Sequence, residues 1–129
     1  MNTPHDTFEH LVQAINRGDV NAAAALYEKE AVMVAQPSAL AAGASARRQA
    51  LAGFIALKPT LTMEARELVQ TGDLALYLSR WNLRGTGPDG KEVRMNGSST
   101  DVLRRQSDGR WLIVIDNPWG IALLAQLIL

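Results

Sequence analysis

The 129-residue chain is long enough to fold as one domain with a real core, and its 13 basic and 13 acidic residues leave no charge excess to hold a phosphate backbone, so no nucleic-acid partner is expected. The absence of cysteine removes disulfides, thiolate zinc sites and cysteine nucleophiles. The start, MNTPHDTFEH, has neither the basic nor the apolar region of a signal peptide, and no apolar run approaches the roughly 20 residues that span a bilayer, so a cytoplasmic protein without a membrane partner is expected.

Thr3-Pro4 followed by Asp6 reads as a helix start, and Phe8, Leu11, Val12 and Ile15 recur at the spacing of one helical face until Gly18 stops it. Asp19 caps a second helix running through the alanines to Tyr27, with Ala22, Ala23 and Leu26 inward, and a short strand over 31–35 follows, closed by Pro37. After an Ala/Gly-rich link over 38–44, Ser45 caps a third helix in which Leu51, Phe54 and Ile55 repeat at helical spacing before Lys58-Pro59 ends it.

Beyond residue 60 the pattern changes. Residues 61–71, 74–84, 91–105 and 110–117 alternate or run apolar, with turn signals at Gly72-Asp73, 85–90 and 107–109, which predicts a four-strand antiparallel meander. Helices first and strands afterward is the pattern of an α+β domain whose helices cover one face of a curved sheet. The two alternating sets of the last strand, Trp111/Ile113/Ile115 and Leu112/Val114/Asp116, are both apolar in character, so a second cover is needed beyond the helices, and a homodimer is expected. The apolar tail 121–129 is too short to span a membrane and is expected to dock on its own domain or on a partner subunit.

The last two strands each carry one acid, Asp101 and Asp116, among apolar residues. Their relation depends on the turn. A two-residue Asp108-Gly109 turn puts them directly opposite on one face, a four-residue loop keeps them on that face about 7–8 Å apart diagonally, and a three-residue loop separates them. Two carboxyls so close in an apolar setting require that one hold a proton or recruit a cation or hydrogen-bond donors. Paired acids with split pKa values are a catalytic device; the structural alternative is an acid that binds loop amides and does no chemistry.

Other candidates are weaker. Trp81 and Tyr77 share one strand face, and Asn117 and Trp119 lie where the chain leaves the last strand, placing all four as candidate ligand-binding residues at a pocket or its rim. Arg80, Asn82 and Arg84 share the opposite face, and Arg47-Arg48 reads as a solvated pair. His5 and His10 have no third ligand at metal spacing, so no metal site is expected. The 85–90 cluster, GTGPDG, lacks the following helix of a phosphate loop, and no cofactor motif is present.

The order of elements together with LYEKEAVMV, RQALAGFIALKP, TDVLRRQSDGRW and VIDNPWG resembles the nuclear-transport-factor-2-like superfamily, and within it the SnoaL-like, YybH-type (SgcJ/EcaC-type) small bacterial proteins. The resemblance covers nearly the whole of 1–129. It implies a single cone-shaped domain, three N-terminal helices on a strongly curved antiparallel sheet that encloses a pocket, and a dimer through the outer sheet face. It implies no single function, since this scaffold hosts isomerases, cyclases, hydrolases and non-catalytic binders. Asp101 falls where ketosteroid isomerases of this superfamily place a protonated oxyanion-hole aspartate. The positions of their base and oxyanion tyrosine are Gln36, before Pro37, and Leu11, and both departures argue against that activity. Asp116 falls near the last-strand acid that SnoaL-like cyclases and limonene-epoxide hydrolases use as base.

Sequence alone therefore leads to a pocket protein for a small apolar or amphipathic molecule, with cofactor-independent acid/base chemistry in which Asp116 is the base and neutral Asp101 the hydrogen-bond donor. The alternative is a non-catalytic dimeric binding or scaffold module in which the acids tie down loops.

Overall fold

The computed structural model describes residues 2–127. Helix α1 (Pro4–Arg17) begins as its sequence dictates: the Thr3 side chain accepts the Asp6 amide, Pro4 occupies the first turn, and Phe8, Leu11, Ala14 and Ile15 are buried. It ends at Gly18, whose φ of 77° lets its amide turn back to the carbonyls of Ala14 and Ile15. Asp19 caps α2 (Val20–Ala24) through the Ala22 amide. That helix is shorter than its alanines suggest. Tyr27 opens strand β1 (Tyr27–Gln36) instead of closing α2, because the Leu26 carbonyl accepts the Ile113 amide and the chain continues alongside the last strand. Tertiary pairing here overrides helix propensity.

The expected link over 38–44 contains strand β2 (Ala39–Ala42), which pairs antiparallel with β1. Helix α3 (Ala44–Ile55) then starts one residue before Ser45, at the N-cap Gly43, with no side-chain cap. Strands β3 (Thr60–Thr71), β4 (Leu74–Thr86), β5 (Glu92–Arg105) and β6 (Trp111–Asp116) form the expected antiparallel meander. The whole sheet has the order β2-β1-β6-β5-β4-β3. Because β1 runs parallel to β6, the six-stranded sheet is mixed rather than purely antiparallel, and it is not closed.

The three helices lie on one face of this sheet. Strict alternation in β4 sends Ala75, Tyr77, Ser79, Trp81 and Leu83 to that inner face and leaves Arg80 and Arg84 outside. The core joins Phe8 and Leu11 of α1 and Leu51 of α3 to Leu103, Trp111 and Ile113 of the sheet. After β6 the chain crosses Asn117-Pro118-Trp119 into a 3-10 segment (Gly120–Leu127) that runs beside β5. Ile121 and Leu124 of the apolar tail are 81% and 55% exposed, so these two side chains do not dock on the domain; residues 128–129 lie outside the described residues. No described helix is long and apolar enough to cross a membrane.

Gly97 on β5 is a close-approach position. A Cβ there would stand 2.8 Å from the Pro118 carbonyl oxygen and 2.9 Å from the Trp81 ring. Gly97→Ala is expected to cost roughly 1–3 kcal/mol by overpacking, read as a lower urea midpoint with unchanged slope. Wild-type stability in this variant would show that Pro118 and Trp81 do not pack over β5.

Candidate functional site

The site rests on the register between β5 and β6. The Gln106 amide donates to the Arg110 carbonyl at 2.7 Å and Arg105 faces Trp111, so the connecting loop is Ser107-Asp108-Gly109, the three-residue version. Continued without interruption, that register would set Asp101 opposite Ile115 and put the two acids on different faces. It is interrupted. Leu103 faces Ile113 but Val102 faces Ile115, leaving Val114 as an extra residue in β6, a β-bulge. The Thr100 amide donates to the Asn117 carbonyl at 2.9 Å in the shifted register, so Asp101 and Asp116 come opposite each other on the inner face.

Both carboxyls are buried, at 1% and 7% exposure. The Tyr27 hydroxyl donates to Asp116 Oδ2 at 2.5 Å, and the Asn117 backbone amide donates to Asp101 Oδ1 at 2.8 Å. Asp101 Oδ2 has no hydrogen-bond partner, and among the described residues it is the one buried side-chain polar atom in that state. The electrostatics explain it. Burial first, then the charge of Asp116 and a carboxyl contact with it, push the Asp101 pKa well above its usual 3.8, against the opposing pull of the Asn117 amide and Ser99. Asp116 is also raised by burial, but the hydrogen bond from Tyr27 and the adjoining Asp101 carboxyl favour its ionised form. The pair therefore keeps a proton on Asp101 and the charge on Asp116, and a protonated Oδ2 is a donor rather than an orphaned acceptor.

Tyr27 stays a phenol. Burial and the neighbouring Asp116 push its pKa well above 10.0. Above its ring, 5.9 Å from the centroid, sits the guanidinium of Arg47 from α3, 5% exposed and without an ion pair among the described residues. Its Nη1 donates to the carbonyls of Ala31 at 2.6 Å and Lys29 at 3.2 Å. Arg47 is thus a buried cation behind Tyr27, whereas the sequence suggested a solvated pair; Arg48 alone is exposed. The Ser79 and Ser99 hydroxyls, 2.5 Å apart, extend the polar row toward β4.

These groups meet a cavity of about 70 Å³. Phe8, Leu11, Leu51, Phe54 and Trp81 supply much of an apolar wall, while Tyr27, Ser99, Asp101 and Asp116 supply the polar one. That is ample for a water or a few ligand atoms, and well below the roughly 300–1,000 Å³ of pockets for drug-sized ligands.

Of the six residues singled out in the sequence, Asp101, Asp116 and Trp81 line the cavity, Trp81 with its indole N–H donated to the Pro118 carbonyl at 2.8 Å. The other three stand behind it. Tyr77 stacks on Phe8 with centroids 4.7 Å apart and its hydroxyl meets His5 Nδ1 at 2.9 Å. The Asn117 side chain holds the exit turn through Thr100 Oγ1 and the Gly120 carbonyl, at 3.0 and 3.2 Å. Trp119 donates to the carbonyls of Val34 and Ala35 at 3.1 and 3.3 Å and meets Trp81 edge-on at 5.5 Å. Arg80 and Arg84 point outward with Asn82, and Arg84 pairs with Glu92 at 3.4 Å. Among the described residues no His/Asp/Glu cluster has metal-site geometry.

Sequence reasoning missed Tyr27, Ser99 and Arg47. Ala31 and Met33 alternate inward, but exposed Lys29 and a register shift between Tyr27 and Val32 interrupt the period before it reaches Tyr27, so no local pattern marks that residue.

A family model described as SnoaL-like domain matches residues 8–114. No curated protein matches the chain. Among solved structures, a nuclear transport factor 2 (NTF2-like) superfamily protein from Salmonella enterica serovar Typhimurium superposes with a TM-score of 0.78 at 18% identity, over 87% of this chain and 84% of that one. A ketosteroid isomerase-like protein from Erwinia carotovora atroseptica gives 0.76 at 21% identity, over 87% and 88%. A protein from Catenulispora acidiphila in complex with S-DNPA gives 0.72 at 18%, over 87% and 86%. At these identities the likeness is one of fold.

The raised carboxyl values have a consequence for stability. An acid whose folded pKa lies above its unfolded one binds more protons folded than unfolded, so its contribution is full below the usual 3.8 and lost as pH rises toward the folded value. Asp101→Asn removes that loss while its amide oxygen still accepts from Asn117. Urea denaturation should find the variant comparable to wild type near pH 4 and increasingly more stable than wild type toward pH 7; a pH-independent difference would refute the shared proton.

Proposed function

The chain belongs to the SnoaL-like domain family, and we propose that it is a cofactor-independent acid/base enzyme acting on a small, largely apolar molecule that carries one oxygen function. The observation that supports this most is the unpartnered, buried Asp101 Oδ2 at the wall of an otherwise apolar cavity, beside a carboxylate held by Tyr27. A protonated carboxyl there donates to a substrate carbonyl and strengthens that bond as negative charge develops on the oxygen. The Asp116 carboxylate, in the same cavity, removes the proton alpha to that carbonyl, and Tyr27 fixes its orientation. Reprotonation at another carbon gives an isomerase, attack on a second carbonyl a cyclase.

The ketosteroid isomerase arrangement is not the model for this site. Leu11 is buried in the cavity wall where a tyrosine would stand, and Gln36, in the base's place, is exposed. A cavity of about 70 Å³ also has no room for a tetracyclic body.

One contact favours the rival reading of a non-catalytic binding module: Asp101 Oδ1 accepts the Asn117 amide, as an acid that ties down a loop would. It is Asp101 that does so, while Asp116 accepts from Tyr27. The two readings separate on Asp116. With butanone and cyclopentanone as probes in D₂O, exchange of the α-protons should exceed the buffer rate, and Asp116→Asn should lower that excess about a hundredfold while the ketones still bind. Binding without exchange in the wild type would leave the binding module standing and remove the enzyme.

Assembly as a homodimer belongs to the same proposal. On the outer face Val69, Leu76, Val102, Ile115 and Val32 stand in direct cross-strand register from β3 to β1. Val69, Leu76 and Ile115 are 59%, 40% and 43% exposed, an apolar row the helices on the opposite face do not cover. A second copy of the same row, related by a two-fold axis, is self-complementary cover for it. Light scattering at micromolar concentration should give the mass of two chains, and Leu76→Glu that of one; a wild-type monomer would end this part of the reading.

A further inference from the structure

The cavity at the acid pair is one of two chambers that share a wall. Ala35, Pro37, Ala50, Gly53, Leu57, Met95 and Trp119 surround a second hollow of about 460 Å³ at the end of α3, and Phe54 lines both spaces. Its lining side chains are apolar apart from Gln36. The inner chamber also abuts a third hollow through Trp81, but there the partition is fixed: Trp81 is 6% exposed and its N–H is bonded to Pro118. Phe54 has no such tie. It is half-buried on a solvent-side turn of α3 beside Gly53, where an added Cβ would meet nothing within 4 Å. Phe54 is the side chain common to both linings, and a space joining the two falls in the range of pockets that hold drug-sized ligands.

We propose that the hollow outside Phe54 is the second half of the same site, and that the ligand is an amphipathic molecule whose oxygen-bearing head sits on Asp101 and Asp116 and whose slender apolar chain passes Phe54 into the hollow. This rests on the acid pair being the ligand's polar anchor. Three features carry it. The inner chamber is too small for more than a head group. The unpartnered Asp101 Oδ2 supplies the donor for that head. A glycine in the middle of α3, unfavourable for the helix by comparison with alanine, keeps the outer hollow open. Phe54 then sets specificity, admitting an unbranched chain beside its ring and excluding a fused-ring body.

The test uses the full chain and an alkanone series, butanone, 2-hexanone and 2-octanone, titrated calorimetrically and by the Asn117 amide resonance, which reports on Asp101. Affinity should rise about fourfold per added methylene, every ketone should shift the Asn117 amide, and Gly53→Leu, which fills the hollow from an exposed helix position, should abolish the gain for 2-octanone while leaving butanone unchanged. Equal affinity for butanone and 2-octanone, or full 2-octanone affinity in Gly53→Leu, would overturn the two-chamber site and leave the acid pair intact. Binding of 2-octanone without a shift at Asn117 would overturn the head-in, tail-out orientation. No binding by any ketone would remove this proposal and the polar-anchor reading together.

Discussion

Two carboxyl groups facing each other across neighbouring strands, inside an apolar interior, form the constraint around which this sheet is arranged. Desolvation alone makes an ionised aspartate expensive there, and a second ionised one opposite it would be worse. A single proton on Asp101 removes the like-charge repulsion and leaves one anion to be stabilised. The surroundings supply what that anion needs. Tyr27 donates to Asp116, the Asn117 amide occupies the other acid, and the buried Arg47 charge stands on the far side of the Tyr27 ring. Arg47 itself is satisfied by the Ala31 and Lys29 carbonyls rather than by an acid, and its charge bears on Tyr27, where it opposes the upward push of burial.

The exit turn after β6 depends on the same constraint. Asn117, Pro118 and Trp119 connect three elements: the Asn117 amide to β5 at Asp101, the Pro118 carbonyl to β4 at Trp81, and the Trp119 indole to β1 at Val34 and Ala35. Two tryptophans that sequence reasoning places in a pocket thus use their polar atoms on backbone carbonyls. Gly97 lies under this strap because only a residue without a Cβ leaves room for Pro118 and the Trp81 ring. On that side the cavity wall is tied by hydrogen bonds from Asn117, Trp81 and Trp119.

Much of the architecture was legible in the sequence because the signals were local and mutually consistent. The Thr3 cap and Gly18 stop delimit α1, and the alternation of β4 and the Gly-rich turns delimit the meander. What was not legible depended on long-range pairing. The alanines of α2 read as helix up to Tyr27, and those of β2 read as a linker, since neither segment contains the β6 and β1 partners that recruit them into the sheet. The face shared by Asp101 and Asp116 followed from the sequence only on the assumption of a two- or four-residue loop. The actual loop has three residues, and the bulge at Val114 restores the shared face. Val114 is one of five consecutive apolar residues, from Trp111 to Ile115, so nothing in its type marks it as the extra one.

In the buried part of the inner face the polar side chains gather at Ser79, Ser99, Asp101, Asp116 and Tyr27, from β4 to β1. Such local violations of apolar burial are found where function sets the residue rather than folding. A purely structural role explains this row poorly. Holding the Asn117 amide needs one acceptor, which an asparagine or serine supplies without burying a titratable group, and among the described residues Asp116 accepts from Tyr27 rather than from a loop amide. The surplus is one protonated oxygen with no partner and one carboxylate oriented by a phenol, both at a cavity wall. On the proposed reading, that surplus serves proton donation by one group and proton removal by the other, two groups whose environments push their pKa values apart.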